Sequence, residues 1–273
     1  MKVSYTEIAD VVKKQYGFDL SVYESAFLSK TITRQMKLAG LHEVSDYVTL
    51  LNNKSEAKLL IASLNNSYTE FFRDPLVFGL FEKRVLPELF ERNKNKKNGE
   101  IRMWSAACST GEEAYSLAIV CDEACENQHQ KARHRIFATD KSSEVIQRAL
   151  IGRYSQTALA QVTFKRLLTH FERSDDFFLI AESLKKTVDF SVYDLLDENS
   201  FSPPASIFGH FDVVFLSNVL FYYRDDMRRK ILLKVTNSLA KGGYLIVGEA
   251  EKQIVEEINA YICCFGSSIF KKV

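Results

Sequence analysis

The chain has 273 residues, 46% of them hydrophobic and 26% charged, with a formal net charge of +1. This is ordinary globular composition, long enough for one large domain or a domain with an appendage. The near-zero charge gives no bulk electrostatic case for nucleic acid or an anionic membrane surface as partner, and no apolar run is long enough to span a bilayer. Glu7 and Asp10 stand where a secretory leader would be basic and then apolar, so a cytoplasmic location is expected. The cysteines are odd in number and form no C-x-x-C pair, which reads as free thiols. The histidines show no metal-ligand spacing, and no metal is expected.

Residues 1–66 read as a helical N-terminal domain. Helical periodicity covers residues 3–16, 20–38, 43–51 and 55–64, with no strand signal. Short helices of this kind bury their apolar stripes on one another as a small bundle. On the second, Leu28, Ile32 and Met36 fall on one side, and Lys30, Arg34 and Lys37 lie roughly opposite. Residues 67–98 read as a linker and connecting helix. Asp74 is placed to cap that helix, and Pro75 suits its first position.

Residues 99–273 alternate strand and helix signals, the pattern of a doubly wound α/β sheet. The region opens with the strand I-R-M-W-S-A at residues 101–106. A turn of small residues runs to Gly111, and a helix begins with Glu112 and Glu113. Small side chains let a ligand approach the backbone there, and a helix N-terminus favours an anionic group. A single glycine with no following Lys is neither G-x-G-x-x-G nor a P-loop. A second strand at residues 135–139 ends at Asp140, and a helix follows over 142–150. Residues 163–171 read as helix, and 177–181 and 187–192 as strands. F-D-V-V-F-L at 211–216 is the continuous apolar run of a buried parallel strand. Helix 225–239, strand 244–247 and an antiparallel tail at 261–272 complete the pattern.

Open parallel sheets bind ligands at the carboxyl ends of their strands. Four such ends carry chemistry. The small-residue turn closes on Glu112 and Glu113. Asp140 can accept hydrogen bonds from both ribose hydroxyls. Asp194 can reach an adenine amino group, with Leu195 against its ring. The fourth end is Ser217-Asn218-Val219-Leu220-Phe221-Tyr222. Each alone has a plain alternative, since an acid at a strand end often caps a helix. Together they describe an adenosine site without phosphates.

T-E-F-F-R-D-P, W-S-A-A-C-S-T-G-E-E-A-Y-S-L-A-I, A-T-D, N-V-L-F-Y-Y and L-A-K-G-G-Y-L-I-V-G-E-A-E occur in that order. They resemble the CheR family, the chemotaxis receptor glutamate O-methyltransferases that use S-adenosylmethionine. The resemblance covers nearly the whole chain. It implies a helical N-terminal domain and a class I methyltransferase, Rossmann-like sheet with a small inserted antiparallel β-subdomain, matched here to residues 172–190. It also implies that S-adenosylmethionine, leaving as S-adenosylhomocysteine, touches Thr69 and Arg73 of the linker, with Ser67 beside them. Glu113 would hold the methionyl end, Asp140 the ribose, and Asp194 and Leu195 the adenine region. Ser217 and Asn218 would lie beside the cofactor, and Arg73 and Tyr222 would carry the catalytic roles. The implied partner is the cytoplasmic helical domain of a chemoreceptor-type protein, met by a monomeric enzyme.

Four positions depart from the family pattern. Ser67 and Asp194 replace Asn, Ser217 replaces Arg, and Ala250 replaces Ser. Losing the cation at Ser217 motivates an alternative reading, a cofactor-binding signalling module with little or no catalysis. An NAD oxidoreductase lacks its phosphate cradle here. A nucleic-acid methyltransferase would want Pro-Pro-aromatic after Asn218, where Val-Leu-Phe stands.

Overall fold

The computed structural model describes residues 5–64, 68–94, 99–128, 133–206 and 209–273. Ser67 and residues 95–98 of the linker lie outside the described residues. The chain divides into two compact units: residues 1–66 with 220–229, and residues 67–219 with 230–273.

The first unit holds α1 (Thr6–Tyr16), α2 (Ser25–Leu38), α3 (Val44–Leu50) and α4 (Lys54–Ser63). Ile8, Val12, Ile32, Met36, Tyr47, Ala57 and Leu60 are buried, which is the bundle core that the helical periodicity predicts. The helix expected over residues 20–38 is broken. A 3-10 turn at Leu20–Val22 gives way to extended backbone at Tyr23 and Glu24 before α2 starts. The break follows from capping. The Glu24 carboxylate accepts the Ala26 and Phe27 N–H groups at 2.7 and 3.0 Å, donors that a continuing helix would otherwise satisfy.

Residues 220–229 belong to this unit through backbone pairing. The Tyr222 carbonyl accepts Glu24 N–H at 2.8 Å, and the Val22 carbonyl accepts Arg224 N–H at 3.1 Å. The rings of Tyr23 and Tyr223 stack at 5.5 Å.

The second unit begins at the linker. α5 (Pro75–Leu80) passes through a π turn at Phe81–Val85 into α6 (Leu86–Asn93). The expected cap by Asp74 does not form, because its side chain accepts no helical N–H. Pro75 at the first position has no N–H to satisfy, which lightens the need for one.

The strands and helices that follow are β1 (Ile101–Ala106), α7 (Glu112–Gln128), β2 (His134–Asp140), α8 (Ser143–Ile151), β3 (Arg153–Ser155), α9 (Phe164–His170), β4 (Phe171–Ser174), β5 (Phe177–Ile180), α10 (Glu182–Lys185), β6 (Val188–Val192) and β7 (Phe211–Leu216). Then come α11 (Asp225–Ser238), β8 (Leu239–Val247), α12 (Lys252–Glu256), β9 (Tyr261–Cys264) and β10 (Ile269–Lys272).

The main sheet has the order β6-β2-β1-β7-β8-β10-β9. β6, β2, β1, β7 and β8 run parallel, and β10 is antiparallel to both neighbours. Alternation along the strands divides the core. Met103, Val213, Phe215, Tyr244 and Ile246 join the cluster that includes Phe81, Leu86, Leu89 and Leu117 from the flanking helices. Trp104, Val214 and Leu245 point to the other face and are equally buried.

The insertion differs from the expected 172–190. Its sheet is β3-β5-β4, so it starts earlier, at Arg153. β6 is no part of it: Val188 to Val192 pairs in parallel with Ile136 to Asp140 as the edge of the main sheet. Three residues with only Tyr154 buried give β3 no readable periodicity, and β6 looks like its antiparallel neighbours because strand direction leaves no mark on composition.

Candidate active site

The main sheet winds outward in two directions from β1: to β2 and β6 on one side, to β7 and β8 on the other. The gap beyond the carboxyl ends of β1 and β7 is therefore a topological switch point, where α/β sheets hold ligands. Ser105 is in register with Phe215, so β1 and β7 leave the sheet side by side, one into Ala107 and the other into Ser217.

The turn after β1 is tightly shaped. Ala107, Ser109 and Gly111 have φ of 66°, 50° and 95°. At Gly111 a Cβ would also meet Ala149, Tyr154 and Phe190 at 3.0 to 3.2 Å, so glycine serves both backbone and packing. The turn is fixed by Cys108 N–H on the Thr139 carbonyl at 2.8 Å and by the Tyr154 hydroxyl on the Thr110 carbonyl at 2.8 Å. Burial, then the charges of Asp140 and Glu113, push the Cys108 thiol well up, which makes it a packing residue and no nucleophile.

Three carboxyls gather here. Glu113 accepts the Ser105 hydroxyl at 2.6 Å and also a hydrogen bond from Ser217, so it is tied to both switch-point strands. Burial raises its pKa to about 7. The two hydroxyls oppose that, and the charges of Glu251 and Asp74 add to it. Glu112 accepts the Thr110 hydroxyl at 2.7 Å and is likewise raised by burial to about 7. Asp140 takes Ser109 N–H on one oxygen at 3.1 Å and Ser142 N–H on the other at 2.9 Å. Burial raises its pKa, against those two bonds. Carboxyls perturbed by burial and converging on a switch point mark a functional site.

The linker is anchored to this unit by the two aromatic residues that precede Arg73. Phe71 is fully buried, edge-on to Tyr154 and Phe171 at 4.8 and 5.2 Å. Phe72, at φ 54°, donates its N–H to the Ser116 hydroxyl at 3.0 Å. Arg166 lies 4.4 Å over its ring and pairs with Glu82 and Glu123 at 3.0 and 2.7 Å. Thr69 is half-buried. Arg73 donates to the Tyr68 carbonyl at 3.2 Å and lies 5.3 Å from its ring centroid.

At the end of β6, Tyr193 N–H bonds the Asp140 carbonyl at 2.9 Å, which keeps the two strand ends together. Leu195 is buried. Asp194 is exposed, and its carboxylate accepts Leu196 N–H at 2.8 Å. The structure thus brings Glu113 and Ser217 into contact, with Asn218 next in the chain, and sets Asp140 beside the Asp194–Leu195 turn. Thr69 and Arg73 lie on the linker of the same unit. Tyr222 falls in the first unit, its ring 4.8 Å from Phe27.

Two matches to family models cover most of the sequence. "CheR methyltransferase, all-alpha domain" matches residues 4–64 and "CheR methyltransferase, SAM binding domain" matches residues 67–268. The chain belongs to the CheR methyltransferase family. It is 30% identical to a "Chemotaxis protein methyltransferase" of Borreliella burgdorferi, over 92% of this chain and 88% of that one. It is 30% identical to "Chemotaxis protein methyltransferase 1" of Pseudomonas aeruginosa, over 88% and 86%. With the Escherichia coli "Chemotaxis protein methyltransferase" it shares 27%, over 90% and 83%. This CheR-family chain is therefore an S-adenosylmethionine-dependent methyltransferase of the chemotaxis type.

Sequence reasoning gave no role to the acid that closes the last matched segment. Glu251 is 0% exposed, and its carboxylate accepts three backbone N–H groups, from Gly248, Asn218 and Val219. Its partners are main-chain groups up to 33 residues away, and no side-chain pattern signals them. Among the described residues no group of three or more His, Cys, Asp or Glu could hold a metal ion, and no helix is long and apolar enough to cross a membrane.

Proposed function

We propose that this protein transfers the methyl group of S-adenosylmethionine to glutamate side-chain carboxylates of a chemoreceptor-type protein, giving methyl esters. The observation that carries the reading is Glu113. Its carboxyl is tied to β1 and β7 at the switch point and faces further acids, Glu251 and Asp74, so a cationic group is wanted there. The α-amino group of the methionyl moiety meets that want. Asp140 at the end of β2 suits the ribose hydroxyls, and Asp194 and Leu195 suit the adenine. Ser217 holds Glu113 where the family has Arg, and Asn218 borders the same end of β7. Thr69 and Arg73 reach the cofactor from the linker.

When bound, the cofactor supplies a methyl group activated on a sulfonium. The residues of this chain have a modest task, because a glutamate carboxylate is already a nucleophile at neutral pH and needs no base. They must place its oxygen in line and exclude water. Arg73 supplies the cation that orients a carboxylate, and a guanidinium can grip both oxygens. The Tyr222 hydroxyl supplies a second donor. The buried rings of Phe71 and Phe72 fix the linker beside Arg73.

Asp140→Ala lowers affinity for S-adenosylhomocysteine by about 1–3 kcal/mol, since ribose bonds are lost and the N–H groups of Ser109 and Ser142 lose their acceptor. Calorimetry showing unchanged affinity removes Asp140 from the site.

The receptor end of the reaction is carried by α2. Lys30, Arg34 and Lys37 are exposed, while Ile32 and Met36 are buried and Leu28 is half-buried. A row of exposed cations steers an acidic helical partner, and its effect fades with salt. Replacing all three with Glu raises KM for receptor, most clearly at low ionic strength, and leaves cofactor affinity alone. An unchanged KM at low salt places receptor docking elsewhere.

A further inference from the structure

We propose that Glu251 is a positioning residue for methyl transfer: its carboxylate holds the Asn218–Val219 backbone against the end of β8, and so sets where Asn218 presents its side chain. The inference rests on the role given above to Asn218.

β7 ends at Leu216, and the backbone beyond it has left the ladder. Its N–H groups need partners that the sheet no longer supplies. Glu251 provides them from the 3-10 turn that follows β8. Oε2 accepts Asn218 N–H at 2.7 Å and Gly248 N–H at 2.9 Å, and Oε1 accepts Val219 N–H at 2.6 Å. A fully buried carboxylate is costly, and three charge-assisted bonds are the arrangement that offsets the cost.

The bonds hold an uncommon backbone. Asn218 sits at φ 63°, in the left-handed region that Asn tolerates better than other residues with a side chain. Gly248 completes the device. A Cβ there would lie 3.1 Å from Glu251 Oε2 and 3.3 Å from the Asn218 backbone nitrogen and side chain. Its own φ of −68° is ordinary, so closeness of approach and not conformation calls for glycine.

The same carboxylate faces Glu113, whose acidity it influences. A residue that merely stapled β7 to β8 for stability would leave turnover per folded molecule unchanged. A positioning residue lowers it, with less effect on KM for the cofactor.

The test uses the full chain with Glu251→Gln, Glu251→Asp and Gly248→Ala, and Asn218→Ala as the reference. Glu251→Gln retains shape but turns one acceptor into a donor aimed at an N–H. Turnover per folded molecule falls by about ten- to a hundredfold, with a smaller change in KM for the cofactor. The pH midpoint of cofactor affinity moves down, because one anion beside Glu113 is gone. Glu251→Asp keeps the charge, so it leaves that midpoint in place and recovers part of the turnover. Should Glu251→Gln not fold, Gly248→Ala, which keeps every group and an ordinary backbone, carries the test and lowers turnover severalfold. Wild-type turnover per folded molecule in Glu251→Gln or, failing that, in Gly248→Ala overturns the proposal whenever Asn218→Ala is impaired. If Asn218→Ala is itself fully active, the role given to Asn218 fails, and the positioning role falls with it.

Discussion

Alanine in place of Arg73 lowers methyl transfer by about 10²- to 10³-fold while the protein stays folded, the loss expected when the charged donor that orients the reacting carboxylate is removed. The fold persists because Arg73 does not hold the linker. Phe71 in its aromatic pocket and the Phe72 N–H on Ser116 do that without it. In the unliganded protein the guanidinium rests on the carbonyl and ring of Tyr68, a partner that a substrate carboxylate replaces at small cost. Lysine at this position restores the charge but not the two-pronged geometry, so Arg73→Lys recovers only part of the rate. Tyr222→Phe removes one donor to a carboxylate and costs about ten- to a hundredfold. Steady-state kinetics on a verified receptor substrate check all three. Full turnover in Arg73→Ala removes the linker from the chemistry.

The second large effect is a pH dependence of cofactor affinity. Glu113 has a pKa of about 7 in the unliganded protein, and the cationic amino group binds its charged form. As pH falls below about 7 the carboxyl is protonated first, so affinity drops by up to about tenfold per unit and binding releases a proton. Calorimetry at about pH 6, in buffers of different ionisation enthalpy, reads that proton directly. Glu113→Gln flattens the dependence and weakens binding at about pH 8 by roughly ten- to a hundredfold.

The same shift has a stability consequence of unusual sign for a carboxyl. Glu112 and Glu113 have folded pKa values of about 7 against a reference of 4.5, so the folded state holds more protons between those values. Their contribution to stability is present below about 4.5, is lost as pH rises toward 7, and changes no further above it. The gap in Tm between free protein and its complex with S-adenosylhomocysteine should therefore widen from about pH 5 to about pH 8. Equal affinity at both ends of that range contradicts the role given to Glu113.

How much of this was legible in the sequence follows from where each signal lives. β1 and β7 were readable to the residue, β7 as a continuous apolar run and β1 as a short strand bounded by polar residues. The acids at the ends of β1 and β2 could be placed for the same reason, since the strand fixes the position after it. β3 was not read at all, and β6 was read as a strand but assigned to the insertion. Neither a three-residue strand nor the direction of strand pairing leaves a periodic trace. The break before α2 was hidden because Glu24 caps with a longer side chain than the usual Ser, Thr, Asp or Asn. Ser217 could be read only as a missing cation. The structure shows its hydroxyl on Glu113, which gives that position a task without a charge. Glu251 closes a matched segment, but its role was beyond reach, since its partners are backbone groups that only the fold brings together. The grouping of Tyr222 with the helical unit was equally hidden, resting on main-chain bonds to Glu24 and Val22.

One measurement reaches the central claim most directly. The purified chain is incubated with methyl-labelled S-adenosylmethionine and the cytoplasmic fragment of a chemoreceptor from the same cell. The label is then mapped by mass spectrometry and tested for release as methanol in mild alkali. Glutamate esterification predicts alkali-labile label on glutamate side chains of the receptor helices, absent when those glutamates are changed to alanine and strongly reduced with Arg73→Ala. Tight binding of S-adenosylhomocysteine with no alkali-labile label on any receptor fragment would contradict it, and would leave a protein that binds the cofactor without esterifying receptors.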